Sequence, residues 1–314
     1  MRGDTRAELA RIAADVSRLE DTRLRDGLGP AAASARAASG HWDFAAPAKA
    51  LESVTDYGQG RLRQAAVARC VLDYFAVEDR LPPSVIGLYE DFWARLANFL
   101  TATAGQPYDD DYFAKDVRYA LGLTVPCGAL QIDLSYSIGP KIILRDLQRS
   151  KSPRAGLAYL GSQGWGRWYN DHLDLRAMEE FNPSGWTACF TRIAETLALN
   201  PTVRGVTGIS WFYDPKVAEI SPKLAYVQVT QTQSGAFLAN MGTDAHHIEN
   251  ATVRSAVRLR LYNEGQYLPT CYLLAWPREA LLDWAQRLPA EPALAFGGVE
   301  GSTPVRARRR ATAS

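Results

Sequence analysis

Hydrophobic residues recur every three or four positions through the first hundred residues, and every second position in several runs after that. Leu9, Ile12, Val16 and Leu19 stand at helical spacing with Arg and Glu between them, which predicts an amphipathic helix over 5–26. The small-residue stretch GLGPAAASARAASG that follows predicts a loop or linker. Leu62, Ala66, Val67, Cys70, Val71, Tyr74 and Phe75 form one face of a second helix over 60–79. In RLPPSVIGLYEDFWARLANFLTATAG, Val85, Leu88, Tyr89, Phe92, Leu96 and Phe99 share a third. Ser84 stands where an N-cap belongs, and Gly105 ends the element.

The pattern changes after GQPYDDDYFAKDVRYALG. LTVP and GALQIDLSYSI read as short strands, with Leu130, Ile132 and Leu134 alternating with polar neighbours. A polar, glycine-bearing connection runs from Gln148 to Gly166. RWYNDHLDLR then reads as a strand, and PSGWTACFTRIAETLALNP as a helix with Trp186, Cys189, Phe190, Ile193 and Leu197 on one side and Ser184 as a cap. VRGVTGISWFYDP is a further strand, whose glycines mark a bulge or a close backbone approach. GAFLANMG is a shorter one, and SAVRLRLYNEGQYLPTCYLLAWPR joins a basic helix to an apolar strand. This β-α-β-loop-β-α-β order predicts an α+β layer fold in which a helical N-terminal region precedes a mixed sheet with flanking helices. The expected divisions are a helical region over 1–105, a connecting β-containing segment over 106–166, an α/β domain over 167–287 and a disordered tail over 288–314, where Pro, Gly and Arg dominate.

Composition narrows the partners. The chain has 314 residues, 47% hydrophobic and 22% charged, so it holds ample material for a core. A net charge of +1 gives no bulk field to draw in nucleic acid or an anionic membrane, and neither is expected as a partner. The run from Arg306 to Arg310 reads as a solvated tail. The four cysteines are far apart in apolar settings and read as small core residues, not as zinc ligands or a disulfide framework. The N-terminal stretch is charged throughout and no apolar run reaches membrane-spanning length, so a cytoplasmic protein is expected.

The candidate chemistry centres on YNDHLDLR. Alternate residues of a strand share a face, so Asn170, His172, Asp174 and Arg176 point one way and Asp171, Leu173 and Leu175 the other. Imidazole, carboxylate and guanidinium in a row suit acid–base work, the carboxylate orienting the histidine and the arginine anchoring an acidic substrate. The plain alternative is an exposed polar face with an Asp–Arg pair. Trp211 and Tyr213 in SWFYDP fall on one strand face and can line a substrate pocket or simply fill the core. Asp109, Asp110 and Asp111 cannot converge on a metal from consecutive positions and read as a solvated loop. His246 and His247 read as hydrated residues near a helix start capped by Asp244. Ser210 lacks the GxSxG elbow of a hydrolase.

The order of elements from about Arg167 to Ala285 resembles the GNAT acyltransferase fold. RLRLYNEGQYLPTCYLLAW is similar to that family's last helix, its turn and its closing strand. The resemblance implies a GNAT-like mixed sheet and an acyl group moved from a coenzyme A or acyl-carrier phosphopantetheine thioester to a small-molecule amine or hydroxyl. It gives Tyr262 the role of protonating the departing thiolate, with Gly265 and Tyr267 matching the turn, and makes VTGISWFYD the strand that grips the pantetheine arm. His172 or Asp174 would then take the acceptor's proton and Arg176 would hold an acid group. An acyl carrier protein is the implied macromolecular partner, in small-molecule metabolism of a bacterial type. The pyrophosphate loop of the family is glycine rich, whereas DPKVAEISPKLAY has two prolines and no glycine.

Two other readings stand beside this one. The order of His172 and Asp174, a distant His246 or His247, then Arg254 or Arg258, resembles iron(II)/2-oxoglutarate oxygenases, with His172, Asp174 and His247 as the Fe(II) ligands. The helix from Ser184 to Leu199 interrupts the β-structure that such a fold needs between its ligands. A non-catalytic, acyltransferase-like binding protein is the third.

Overall fold

The structure, a computed structural model, describes residues 1–15, 18–38, 45–55, 60–104, 106–173 and 175–288. The expected tail from 289 onward lies outside them. Helices open the chain: α1 (Gly3–Ala14), α2 (Arg18–Ala38), α3 (Ala46–Thr55) and α4 (Gly60–Arg69), which continues into one π turn (Cys70–Tyr74). The short α5 (Pro83–Ile86), α6 (Leu88–Ala102) and α7 (Asp110–Ala120) follow. The alanine-rich stretch expected to be a loop is helical as far as Ala38, with Pro30 inside the helix. Alanine is the best helix former, and Leu24, Leu28, Ala31, Ala32 and Ala35 all bury there, so packing outweighs the cost of the proline. Ser84 does not cap. Pro82 holds that position without a side-chain bond, and the Ser84 hydroxyl bonds to Glu195. The acidic run is the start of a helix, with Asp109 accepting from the backbone N–H of Asp111 and Tyr112.

The second part runs β1 (Thr124–Pro126), β2 (Leu130–Tyr136), α8 (Pro140–Ser150), α9 (Arg154–Gly161), β3 (Trp168–Leu173), a 3-10 segment (Leu175–Glu180) and α10 (Pro183–Leu199). Next come β4 (Gly205–Ser210), a 3-10 turn (Trp211–Tyr213), α11 (Pro215–Ile220), a further 3-10 turn (Pro222–Val227), α12 (Val229–Gln233) and β5 (Phe237–Gly242). The last elements are α13 (Ala245–Thr252), α14 (Ala256–Asn263), β6 (Cys271–Pro277) and α15 (Arg278–Gln286). Much of the connection expected to be polar loop is therefore α8 and α9. Asn182, not Ser184, caps α10 by accepting from Gly185.

The strands make one sheet in the order β1-β2-β3-β4-β6-β5, parallel between β3 and β4 and antiparallel elsewhere. The fold is α+β. One face, carrying Leu130, Ile132, Tyr169, Val206, Leu274 and Trp276, packs on Trp186, Phe190 and Ile193 of α10, and the same core runs on into the N-terminal helices. The other face, with Trp168, Ala239, Leu273 and Ala275, is covered from α8 and α9 by Ile143, Ala155 and Tyr159. The four cysteines are free and buried. None of the described helices is long and apolar enough to cross a membrane.

Candidate functional site

β4 pairs with β6 along its whole length, from Gly205↔Pro277 to Ser210↔Tyr272. Its pairing with β3 consists of Tyr169↔Val206 and Asn170↔Thr207 and then stops, although β3 stays paired with β2 as far as Leu173↔Leu130. Past Asn170 the two parallel strands part. The notch between them is walled by the backbone of residues 171–173 and 208–210, whose facing peptide groups have left the ladder. The carboxyl ends of parallel strands are where open α/β sheets receive ligands.

Below the notch, on the α10 face, the Asp171 carboxyl lies directly over Gly208. A Cβ built on Gly208 would stand 2.0 Å from Asp171 Oδ1, so only glycine fits. The Tyr213 phenol reaches back from its turn and donates to both carboxyl oxygens, at 3.3 and 3.1 Å. Burial pushes the Asp171 carboxyl up to about 7, with the charge of His172 and the Tyr213 hydrogen bond pulling the other way. The same burial, next to Asp171, pushes the Tyr213 phenol up.

Asn170 and His172 project from the opposite face of β3. His172 Nε2 is 2.8 Å from Asp133 Oδ2 on β2 and 3.0 Å from Asn170 Nδ2. Asp133 also accepts from Arg118 Nε of α7, at 3.1 Å, and from the Thr124 hydroxyl. Burial alone would raise this carboxyl. The charge of His172 and its hydrogen bond, with Arg118 and the Thr124 hydroxyl, bring it below the ordinary range instead. Asn170 Nδ2 can only donate to Nε2 and an ionised Asp133 can only accept from it, so the tautomer decides between the two bonds; the form bonded to Asp133 carries its proton on Nε2 and its lone pair on Nδ1. Asp133 and Arg118 are almost wholly buried, but the His172 side chain is 28% exposed. Ile209, whose side chain faces the same way, is 41% exposed. A partly exposed imidazole held by a buried carboxylate can accept or give up a proton.

Only part of the expected site is assembled. Asp174 lies outside the described residues, as does the side chain of Arg176. The carboxylate on His172 is Asp133, which the sequence shows only as a polar position of an alternating strand 39 residues earlier. Strand alternation assigns Asp171 merely to the opposite face. The sequence signal that existed for it is the glycine of VTGIS, a mark of close approach.

Trp211 and Tyr213 do not lie on a strand. The chain leaves the sheet at Ser210, whose hydroxyl accepts from Phe212 N, and Asp214 then caps α11 by accepting from Lys216 N. Tyr213 is wholly buried, while Trp211 is half-buried with the Arg258 guanidinium 4.6 Å over its ring.

Tyr262 lies on the last turn of α14, as expected. Gly265 turns the chain at φ 69°, and the N–H groups of Gln266 and Tyr267 return to Leu261 O. The strand after that turn, β6, lies inside the sheet between β4 and β5. No hydrogen bond among the described residues joins Tyr262 to Asp133, Asp171 or His172. His247 sits on α13, its backbone N–H donating to Asp244 Oδ1 and its ring Nδ1 2.9 Å from the same oxygen without hydrogen-bond geometry. Among the described residues no group of three His, Cys, Asp or Glu side chains is placed to hold a metal ion, so the iron reading gains no support.

No family model matches the sequence, and no curated protein matches it. Solved structures similar to the chain include an acyltransferase in complex with decanoyl-CoA, 14% identical over 88% of each chain with a TM-score of 0.44. Another is an acyltransferase in complex with CoA and 10C-teicoplanin, 12% identical over 88% of this chain and 89% of that one, with a TM-score of 0.43. Likeness at those scores does not bear on the reaction, which has to be read from the site itself.

Proposed function

We propose that the protein is an acyltransferase of the GNAT kind, moving an acyl group from a phosphopantetheine thioester to the amine or hydroxyl of a small molecule. The observation that carries this reading is the parting of β3 and β4 beside a histidine oriented by a buried carboxylate. A phosphopantetheine arm is an extended chain with two amides, and it can add to an unpaired strand edge as a further strand does. Laid in the notch, it brings its thioester toward the carboxyl ends of β3 and β4. Backbone N–H groups of the edge, beyond the last β3–β4 pair, would receive the carbonyl oxygen as it gains charge.

His172 then acts as the base. The acceptor nitrogen or oxygen attacks the thioester carbon, forming the new C–N or C–O bond while its proton passes to the imidazole. The tetrahedral intermediate collapses, the C–S bond breaks, and the thiolate leaves with the electron pair and takes up a proton. Thiols are acidic enough, at about pKa 8–9, to depart without a dedicated acid. Tyr262 therefore has no obligatory part in this scheme.

The segment after β4 offers no open anion cradle, because α11 starts with Pro215, which has no N–H, and Asp214 takes the next two, Lys216 N–H on its carboxylate and Val217 N–H on its backbone carbonyl. The donor's distal half is accordingly either coenzyme A seated elsewhere or an acyl carrier protein. Release of free thiol from acyl-coenzyme A and from an acylated carrier protein, measured over a panel of amines and alcohols, tests the reading. Thiol release should depend on the acceptor, and His172→Gln should lower kcat by roughly 10²–10⁴ with donor affinity kept. Absence of both thioester binding and acceptor-dependent thiol release would end it.

A further inference from the structure

The apolar residues of α8 and α9 point in two directions. Ile143, Ala155 and Tyr159 turn to the sheet. Leu144, Leu157 and Leu160 are 60, 66 and 60% exposed, Leu147 is 46% exposed, and Trp165, in T-shaped contact with Tyr159 just after α9, is 58% exposed. Single exposed apolar residues are ordinary, but here five of the fourteen large ones exposed among the described residues fall within 22 positions of the chain. They share one surface. Asp146 and Arg149 of α8 bond to the backbone of Asn240 on β5, which fixes the side of the helix turned to that strand. Going round α8 from there, Ile143 comes next and lies against α9, where a Cβ built on Gly156 would stand 3.7 Å from Ile143 Cγ2. Leu147 and Leu144 follow, on the solvent side of that seam. Going round α9 from Ala155 and Tyr159, Gly156 comes next, and Leu160 and Leu157 follow on the same side.

The charges around these leucines are of one sign. Lys141, Arg145, Arg149, Lys151 and Arg154 are all exposed, and none makes an ion pair among the described residues. Asp146 is the only acid between Ile138 and Gly166, and it is buried on the Asn240 N–H. The whole-chain charge of +1 conceals this concentration. We propose that the α8–α9 surface docks on an anionic lipid bilayer, its leucines and Trp165 entering at headgroup level and its five cations meeting the lipid phosphates. With 11 and 8 residues, the two helices lie on the bilayer and do not cross it. Charge argues against the occupants that the chain itself could supply. A second copy would set five cations against five, and residues 289–314 carry four arginines against two glutamates, so both are repelled. The leucines also project from the helices as knobs, which suits entry into a soft apolar layer.

The test is flotation with vesicles of a zwitterionic phospholipid, alone or with an anionic phospholipid mixed in, at low and high salt. The variants are Leu157→Gln with Leu160→Gln, Arg145→Gln with Arg154→Gln, and Trp165→Phe. All these side chains are exposed, so the unfolding midpoints should stay with the wild type. The wild type should bind the anionic vesicles and not the zwitterionic ones, and less at high salt. The arginine pair should weaken binding by roughly fivefold per cation removed, and the leucine pair by roughly tenfold or more. Anionic vesicles should shift the indole emission of the wild type to the blue, and Trp165→Phe should remove most of that shift. Absence of binding, equal binding to both kinds of vesicle, or undiminished binding by either paired variant would overturn the proposal. So would a wild-type dimer that the leucine pair turns into a monomer, which would make the surface an interface between copies. Binding to polyglutamate without binding to vesicles would assign the surface to an acidic polypeptide and overturn the lipid reading as well.

Discussion

Replacing Asp171 with asparagine should make the protein more stable, and increasingly so as the pH rises. The carboxyl is sealed over Gly208 and is pushed from its ordinary 3.8 up to about 7 by burial. Below the unfolded-state value both states are protonated, so the acid costs the fold nothing. Between that value and about 7 the unfolded chain releases the proton while the folded chain keeps it, and stability falls as the pH climbs. A shift of about three units, at roughly 1.4 kcal/mol each, comes to about 4 kcal/mol lost once the pH passes the folded-state value. The Asp171→Asn side chain would keep an oxygen for the Tyr213 hydroxyl and nearly the same volume, but it cannot ionise. The variant should therefore gain on the wild type by about 1.4 kcal/mol per pH unit through the acidic range and level off near neutrality. Urea unfolding of both proteins, followed by tryptophan fluorescence at pH steps from about 4 to 8, measures this as a difference in midpoint at constant slope. A difference that stays flat across that range, or one that moves in favour of the wild type as the pH rises, refutes the claim that the Asp171 environment rejects charge.

Asp133→Asn should act in the opposite sense on both function and fold. Its amide can turn a donor toward His172 Nε2 and fix the wrong tautomer, so kcat should fall about 10²–10⁴ with a displaced pH–rate profile. Because Arg118 Nε would lose its ion pair with Asp133, denaturant unfolding should show a loss of stability. Gly208→Ala drives a methyl into the Asp171 carboxyl and should cost about 1–3 kcal/mol in thermal or urea unfolding, whereas an unchanged midpoint would mean the carboxyl has room to move. Tyr262→Phe should leave acceptor-dependent thiol release unchanged, since nothing in the described chain connects its hydroxyl to the notch. A tenfold loss of kcat would restore the role that the family resemblance gives it.

The change of hydrophobic period after Gly122 marks where the helices give way to strands, the first of which opens at Thr124, so the segment expected to carry strands from residue 106 starts with helix α7. The errors have local causes. In the alanine-rich stretch, Gly27, Gly29 and Pro30 argue for a break, and no local rule announces that Leu24, Leu28 and Ala32 will find α3 to pack on. At SWFYDP the aromatics continue a β pattern, but Ser210 and Asp214 bond to the backbone just beyond them and curl the chain into a turn. The notch is a different matter. It comes from the register of one parallel pair, and strand periodicity holds no information on how far two strands stay together.

The site shows the same division within one strand. Alternation correctly sets His172 and Asp171 on opposite faces of β3, because that follows from backbone geometry alone. What alternation cannot give is which face is wet, or which acid meets which base across strands. Asp171 and Asp133 are both buried aspartates beside the same histidine, yet one is pushed up and the other held down. Burial is common to both, so it cannot be the difference. Asp133 has the Arg118 guanidinium and the Thr124 hydroxyl in addition to a direct bond from His172, whereas Asp171 has the Tyr213 phenol and the charge of His172 without a bond to it. Both of Asp133's extra partners stand on neighbouring elements, α7 and β1. The acid–base character of this strand is therefore set by α7 and β1, which supply no residue of the YNDHLDLR motif that first drew attention to it.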